Sequence, residues 1–229
     1  MSLWVPERAP AEEILDGEVP ADEAEASLSD IEWVHRNLGG RLLLRLRLLP
    51  LLEGLADPGR PLSLLDLGCG SGHVGRDLVR RLRRKGRELR VLGLDRKLSH
   101  ARLAPRGGST AGDALLLPFA DRSVDVVFST LFLHHFSETE LRDVFLESRR
   151  VARKAVVAFD LSRHRVARAL ISAVGPLAFR TRISTLDGEA SVLAAYTRRD
   201  VAALVGDLLP GVRVRSAGPF VWQLVWRRP

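Results

Sequence analysis

Leu64-Leu65-Asp66-Leu67-Gly68-Cys69-Gly70-Ser71-Gly72-His73-Val74-Gly75 governs how the rest of this chain is read. Leu64 to Leu67 has the apolar and acidic character of the end of a buried parallel strand. Glycines at every second position then make a tight turn, and Val74 through Arg83 reads as a helix. Glycine is needed where the backbone takes a positive φ or where a ligand approaches it closely. A helix that opens straight after such a turn offers free N–H groups and the positive end of its dipole to an anionic group. The arrangement suits a nucleotide-type cofactor.

Two cofactor classes fit the glycines. Gly70-Ser71-Gly72-His73-Val74-Gly75 matches G-x-G-x-x-G, with Asp95 about 20 residues further on, as in dinucleotide-binding folds. Asp66, immediately ahead of the turn, separates the two. A carboxylate there meets a pyrophosphate unfavourably but suits an ammonium group. With the backbone amides of Gly68, Cys69, Gly70 and Gly72, it can hold an amino-acid zwitterion, Asp66 taking the cationic end. That pairing resembles the first motif of the class I S-adenosylmethionine-dependent methyltransferases, in their small-molecule (type 11/25-like) branch.

The resemblance covers residues 62–136 in order. Val91-Leu92-Gly93-Leu94-Asp95 is similar to the family's second strand, whose terminal acid accepts hydrogen bonds from the ribose hydroxyls, with Arg96 beside it. Ala111-Gly112-Asp113-Ala114 resembles the adenine-side motif, placing Asp113 near the exocyclic amine and Ala114 next to it. Leu117 to Phe128 resembles the segment through the fourth strand, after which Ser129 and Leu131 border the cofactor. Leu133-His134-His135-Phe136 follows, as in many small-molecule members. The resemblance implies S-adenosylmethionine as cofactor and S-adenosylhomocysteine as product. It also implies an α/β, Rossmann-like, doubly wound sheet of seven mostly parallel strands with an antiparallel C-terminal hairpin.

The bulk numbers agree with one such domain. The chain has 229 residues, of which 46% are hydrophobic, enough for a single core. Cys69 is the only cysteine, so no disulfide forms within the chain and a reducing, cytoplasmic compartment is expected. Within the turn it reads as a small packing residue. The N-terminus shows no basic region followed by an apolar core, and Leu42 to Leu52 is broken by Arg45, Arg47 and Pro50 and too short to span a bilayer. The net charge of +7 is carried mostly by arginine. The dense cluster from Arg76 to Arg90 reads as a solvated helix face rather than a nucleic-acid patch. No zinc spacing or cluster of acids and histidines stands out in the sequence, so no metal is expected.

Residues 1–56 read as an acidic arm and N-terminal helices forming a lid, and residues 57–229 as the catalytic domain. Residues 1–23 carry Pro6, Pro10 and Pro20 among acids and alanines, which predicts a loosely attached arm. Ser27 or Ser29 is expected to cap a helix, with Glu32 completing a capping box. Gly39-Gly40 ends it before a second helix over Arg41–Leu49. Trp33, His35 and Asn37 are candidate lid contacts. A short helix is expected near Lys97–Leu103, and an amphipathic one over Glu138–Arg150 capped by Ser137, with Leu141, Val144, Phe145 and Ser148 inward. Ala155–Asp160 reads as a buried strand, Val166–Val174 as a helix ending at Gly175-Pro176, and 177–195 as irregular. A helix from Tyr196 to Leu209 and strands at Val212–Ser216 and Phe220–Trp226 complete the chain.

Methyl transfer from a sulfonium is an in-line displacement, so much of the rate can come from alignment. A base is needed only where the acceptor loses a proton. His134 and His135 are the first candidates, with His164 and Tyr196 behind them. The favoured reading is methylation of a small, apolar or aromatic acceptor such as a phenol, quinone precursor or polyketide-like ring. The apolar run Val166 to Phe179 supplies a wall for it. The alternatives are an RNA or protein methyltransferase, a non-catalytic cofactor-binding protein and, against Asp66, a dehydrogenase. Aromatic residues at only 6% disfavour base stacking and hence nucleic acid.

Overall fold

The structure, a computed structural model, describes residues 4–9, 13–97 and 108–229. Seven strands form one sheet in the order β3-β2-β1-β4-β5-β7-β6. β1 (Leu62–Leu67), β2 (Leu89–Asp95), β3 (Ser109–Ala111), β4 (Val124–Thr130) and β5 (Ala152–Leu161) run parallel. β6 (Arg213–Gly218) and β7 (Val221–Arg227) close the sheet antiparallel, as expected. The strand order reverses between β1 and β4, where Asp66 stands in register with Phe128 and Leu67 with Ser129. A ligand of an open parallel sheet binds beyond the carboxyl ends at such a reversal.

The strands are apolar throughout because both sheet faces are covered. On one face α2 (Gly40–Leu43), α3 (Leu49–Leu55) and α4 (His73–Arg84) bring Leu44, Leu48, Leu52, Leu78 and Leu82 into a cluster with Leu64, Val126 and Phe128. On the other, α5 (Glu138–Val151) and α8 (Arg198–Val205) add Leu141, Phe145, Val201 and Val205 around Tyr196, Trp222 and Trp226. Leu78 has no exposed surface, so Leu78→Ala would cost about 3 kcal/mol in lost transfer energy and cavity. α5 starts at a capping box, Ser137 Oγ accepting from Glu140 N and the Glu140 carboxylate accepting from Ser137 N. It buries the four residues its spacing predicted.

Several local expectations are corrected. α1 (Ala21–Asn37) begins after Pro20, not at Ser27 or Ser29; Ser27 is buried within it and Ser29 Oγ donates back to Glu25 O. Pro20 fixes the φ that a helix start needs, so no serine is required. The second helix continues past Leu49 to Leu55, with a π-helical turn at Leu44–Leu48 ahead of Pro50, whose missing N–H loosens the ladder there. α6 (Arg165–Ala178) runs through Gly175-Pro176, because Gly175 lies against Thr185 where a Cβ would come within 2.9 Å. The 177–195 stretch contains a further helix, α7 (Arg182–Ala194), capped by Thr181. Its buried Ser184, Asp187 and Ser191 face polar partners and its buried Thr185 packs on Gly175, which hides the apolar stripe a helix normally shows. α8 stops at Val205 rather than Leu209. The short helix expected near Lys97–Leu103 lies mostly outside the described residues.

Candidate active site

The glycine turn is fastened to β2. Gly68 N and Cys69 N both donate to Leu94 O, at 2.8 and 3.2 Å. Gly68, Gly70 and Gly72 have φ of +66°, +49° and +70°, a region that disfavours side chains. At Gly68 a Cβ would also lie 2.3 Å from the Phe132 ring. Asp95 Oδ2 accepts from Gly70 N at 2.9 Å and its Oδ1 from Lys97 N at 3.0 Å, so the second-strand acid braces the turn.

Asp66 sits at this edge in a different state. Its side chain is buried, and no donor reaches its carboxyl among the described residues. Burial first, and then the charge of Asp95, push it up to about 7. Burial with the charges of Asp66 and Asp95 pushes the Cys69 thiol up to about 12, which makes it a packing residue and a poor nucleophile.

β4 delivers Ser129, buried, and then Leu131 in the left-handed region at φ +52°. That conformation costs a leucine about 1–2 kcal/mol and is held by Leu131 N donating to Phe159 O at 3.0 Å. Asp66, the glycine turn, Asp95, Ser129 and Leu131 therefore converge at the carboxyl ends of β1, β2 and β4. Asp113 and buried Ala114 lie just past β3, where Asp113 Oδ1 accepts from Leu115 N at 2.9 Å. Arg96 is exposed at the end of β2.

The two histidines differ sharply. His134 is buried, with Nδ1 2.8 Å from Asp160 Oδ1 and Nε2 3.3 Å from Glu13 Oε1. Burial alone would lower its pKa, but the two carboxylates override this and raise it to about 10. It is a fixed imidazolium. Asp160 Oδ2 also accepts from Leu133 N and His134 N, and despite burial its pKa is lowered by His134. His135 stacks on His134 with ring centroids 4.4 Å apart and is partly open. Its Nδ1 lies 3.0 Å from Asp16 Oδ2. His164 is spent capping α6, Nδ1 accepting from Val166 N. The Tyr196 hydroxyl donates to Phe136 O, and burial pushes it up to about 12.

The loosely attached arm of the sequence reading is tied down where it is described. Arg8 donates to Ala194 O and Phe136 O and stacks 3.9 Å over Tyr196. Ile14 N and Leu15 N donate to the Asp187 carboxylate, and Lys97 donates to Leu15 O and Gly17 O. Glu13, Asp16, Asp160 and Asp187 thus belong to the site region although sequence reasoning gave them no role there. Asp160 alone had a readable signal, an acid ending a buried strand. Glu13 lies 121 positions from His134. Glu13, His134 and His135 bring ligand-type atoms within 4.8 Å of one another, a cluster that sequence spacing does not reveal.

Residues 65–159 match the family described as Methyltransferase domain. That stretch is similar to the methyltransferase domain family over less than half of the chain. The chain's sheet, with five parallel strands closed by an antiparallel C-terminal hairpin, shares its Rossmann-like fold with solved methyltransferases. The chain is 29% identical over 191 residues to malonyl-[acyl-carrier protein] O-methyltransferase 1 of Coxiella burnetii, covering 83% of this chain and 57% of that protein. It is 36% identical over 98 residues to demethylmenaquinone methyltransferase of Thermotoga maritima, covering 41% of this chain and 40% of that one. It thus spans about half the length of these relatives. The plantazolicin methyltransferase BpumL, solved with a desmethylPZN analogue and SAH, superposes with TM-score 0.60 at 14% identity, covering 91% of this chain and 95% of that one. No helix among the described residues is long and apolar enough to cross a membrane.

Proposed function

We propose that this chain binds S-adenosylmethionine at the carboxyl edge of β1, β2 and β4 and transfers its methyl group to a small apolar or aromatic acceptor. The observation that carries this is Asp66, a buried carboxylate without a donor beside amide groups at a helix N-terminus. Such a group is normally satisfied in a folded protein. An amino-acid zwitterion completes it, the ammonium on Asp66 and the carboxylate at the N-terminus of α4, since the amides of Gly68, Cys69, Gly70 and Gly72 already donate within the fold. A dinucleotide would place a pyrophosphate against a second negative charge. Asp95, with Arg96 beside it, serves the ribose, Asp113 and Ala114 the adenine, and Ser129 and Leu131 the wall opposite. The relatives' names cover a carrier-bound malonyl group, a demethylmenaquinone and plantazolicin. Their common element is the methyl donor.

When bound, the cofactor supplies an activated methyl on sulfur. The chain aligns it and excludes water. Leu28 faces Gly70 and Phe132 covers Gly68, so binding displaces one of them. His134 cannot take a proton while it holds one between Glu13 and Asp160, so we assign it to positioning. We assign His135 as the base for an acceptor of phenol or quinol type, its Nδ1 3.0 Å from Asp16 Oδ2 and its Nε2 3.9 Å from Glu13 Oε1. The reducing cytoplasm suits the lone Cys69 thiol.

Calorimetric titration with S-adenosylmethionine, S-adenosylhomocysteine and NAD, on wild type and Asp66→Ala, tests the first step. Micromolar binding of the sulfur nucleosides, lost in the variant and absent for NAD, supports the proposal; binding of NAD alone overturns it. An acceptor screen with radiolabelled methyl donor then tests the second. His135→Gln is expected to lower kcat about 100-fold on a phenolic acceptor while leaving cofactor affinity intact.

A further inference from the structure

Two segments covering the site's approach share a pattern that methyl transfer does not use. Residues 36–49 contain four arginines and no acid, and residues 161–186 contain five arginines and no acid. Each also turns an apolar stripe outward. In the first, Leu38, Leu42 and Leu46 are 66%, 56% and 59% exposed, Leu38 closing α1 ahead of the left-handed Gly39 and the other two lying on α2 and the π-helical turn. The π-helical turn fixes this by sending Leu44 and Leu48 into the core, which leaves Arg45, Leu46 and Arg47 outside. On α6, Leu170, Val174 and Leu177 are 51%, 51% and 89% exposed. Trp33 of α1, packed edge-on to Phe179 with centroids 6.5 Å apart, joins the two stripes.

Exposed leucines in line on a soluble domain mark a contact surface, and their arginine borders select what makes the contact. Arg45, Arg47, Arg165, Arg180 and Arg182 are exposed with no carboxylate partner among the described residues. A second copy of the chain would set these like charges against each other across a two-fold axis. An anionic bilayer satisfies both features, the leucines entering the headgroup boundary and the guanidinium groups meeting phosphates. We propose that this face docks reversibly on anionic phospholipid membranes through α2, the π-helical turn after it and α6.

The test is co-sedimentation of the 229-residue chain with vesicles of equal phosphatidylglycerol and phosphatidylcholine, and with phosphatidylcholine alone, at about 0.1 M salt. Binding to the mixed vesicles, at least about tenfold weaker on phosphatidylcholine, is expected. The double variant Leu42→Glu/Leu46→Glu should lose about tenfold or more of it. Arg180→Ala/Arg182→Ala should lose about fivefold for each arginine removed. Circular dichroism checks that both variants fold, and the arginine variant carries the test where the leucine variant does not. Equal binding to the two vesicle types, or none, overturns the proposal. So does a dimer in sedimentation velocity that the leucine variant dissociates.

Discussion

Asp66 and Asp125 are buried carboxylates on neighbouring parallel strands, at opposite ends of the sheet. Asp125, at the amino end of β4, accepts from Arg60 at 2.8 Å, Arg153 at 2.7 Å, and Ser63 N and Oγ at 2.9 Å each. Burial would raise its pKa, but Ser63, Arg153 and Arg60 hold it low. Asp66, at the carboxyl end of β1, has no such donor and is pushed up to about 7. One carboxylate is completed by the fold; the other has no donor among the described residues and is the group the proposed ammonium contact uses. Asp160 stands between them, at the functional edge but closed by His134. The sheet's amino end is therefore built for stability and its carboxyl end for binding.

The sharpest attack on this contrast is to delete each carboxylate and read both properties. Asp125→Ala should cost about 3 kcal/mol by leaving two arginines without their shared partner, read as a drop of about 6–12 °C in Tm, with cofactor affinity unchanged. Asp66→Ala should do the reverse, weakening S-adenosylmethionine about 50-fold with Tm level or raised. Equal loss of stability in the two variants would remove the distinction.

Two pH experiments sharpen it. The raised pKa of His134 means its contribution is fully present below the unfolded value of 6.5 and is lost as pH rises through about 10. Wild-type stability should fall between pH 7 and 10 by about 2 kcal/mol more than that of His134→Gln, followed by urea unfolding at each pH. Limited proteolysis should then cut the N-terminal arm faster in the variant. The smallest effect is on affinity. Asp66 must be ionised to hold an ammonium, so binding should weaken by up to about tenfold for each unit of pH below about 7. Asp66→Asn should flatten that profile in calorimetry.

The sheet was legible because its signals are local. Strand runs, the capping box at Ser137 and the Gly68 to Gly72 turn each specify backbone geometry within a few residues. α7 was not, since its inward serines and aspartate are satisfied by α1 and the arm: Ser184 Oγ donates to Asp30 Oδ2 at 2.7 Å, and Asp187 takes two backbone amides of residues 14 and 15. Proline and acid content made the arm read as loose, while its anchors, Arg8 on Tyr196 and Lys97 on Leu15 and Gly17, come from remote parts of the chain. Residue type likewise marked both histidines as bases, yet protonation depends on neighbours, and Asp160 with Glu13 fixes one of them as a cation.

By itself, then, the sequence determined the doubly wound sheet, the glycine turn and the acid ahead of it, because periodicity and glycine stereochemistry act over short range. Tertiary structure alone decided which carboxylates are satisfied, which histidine can exchange a proton, and where arginines border exposed leucines. Those properties depend on burial and on charges brought together across more than a hundred positions of chain, as with His134 and Glu13.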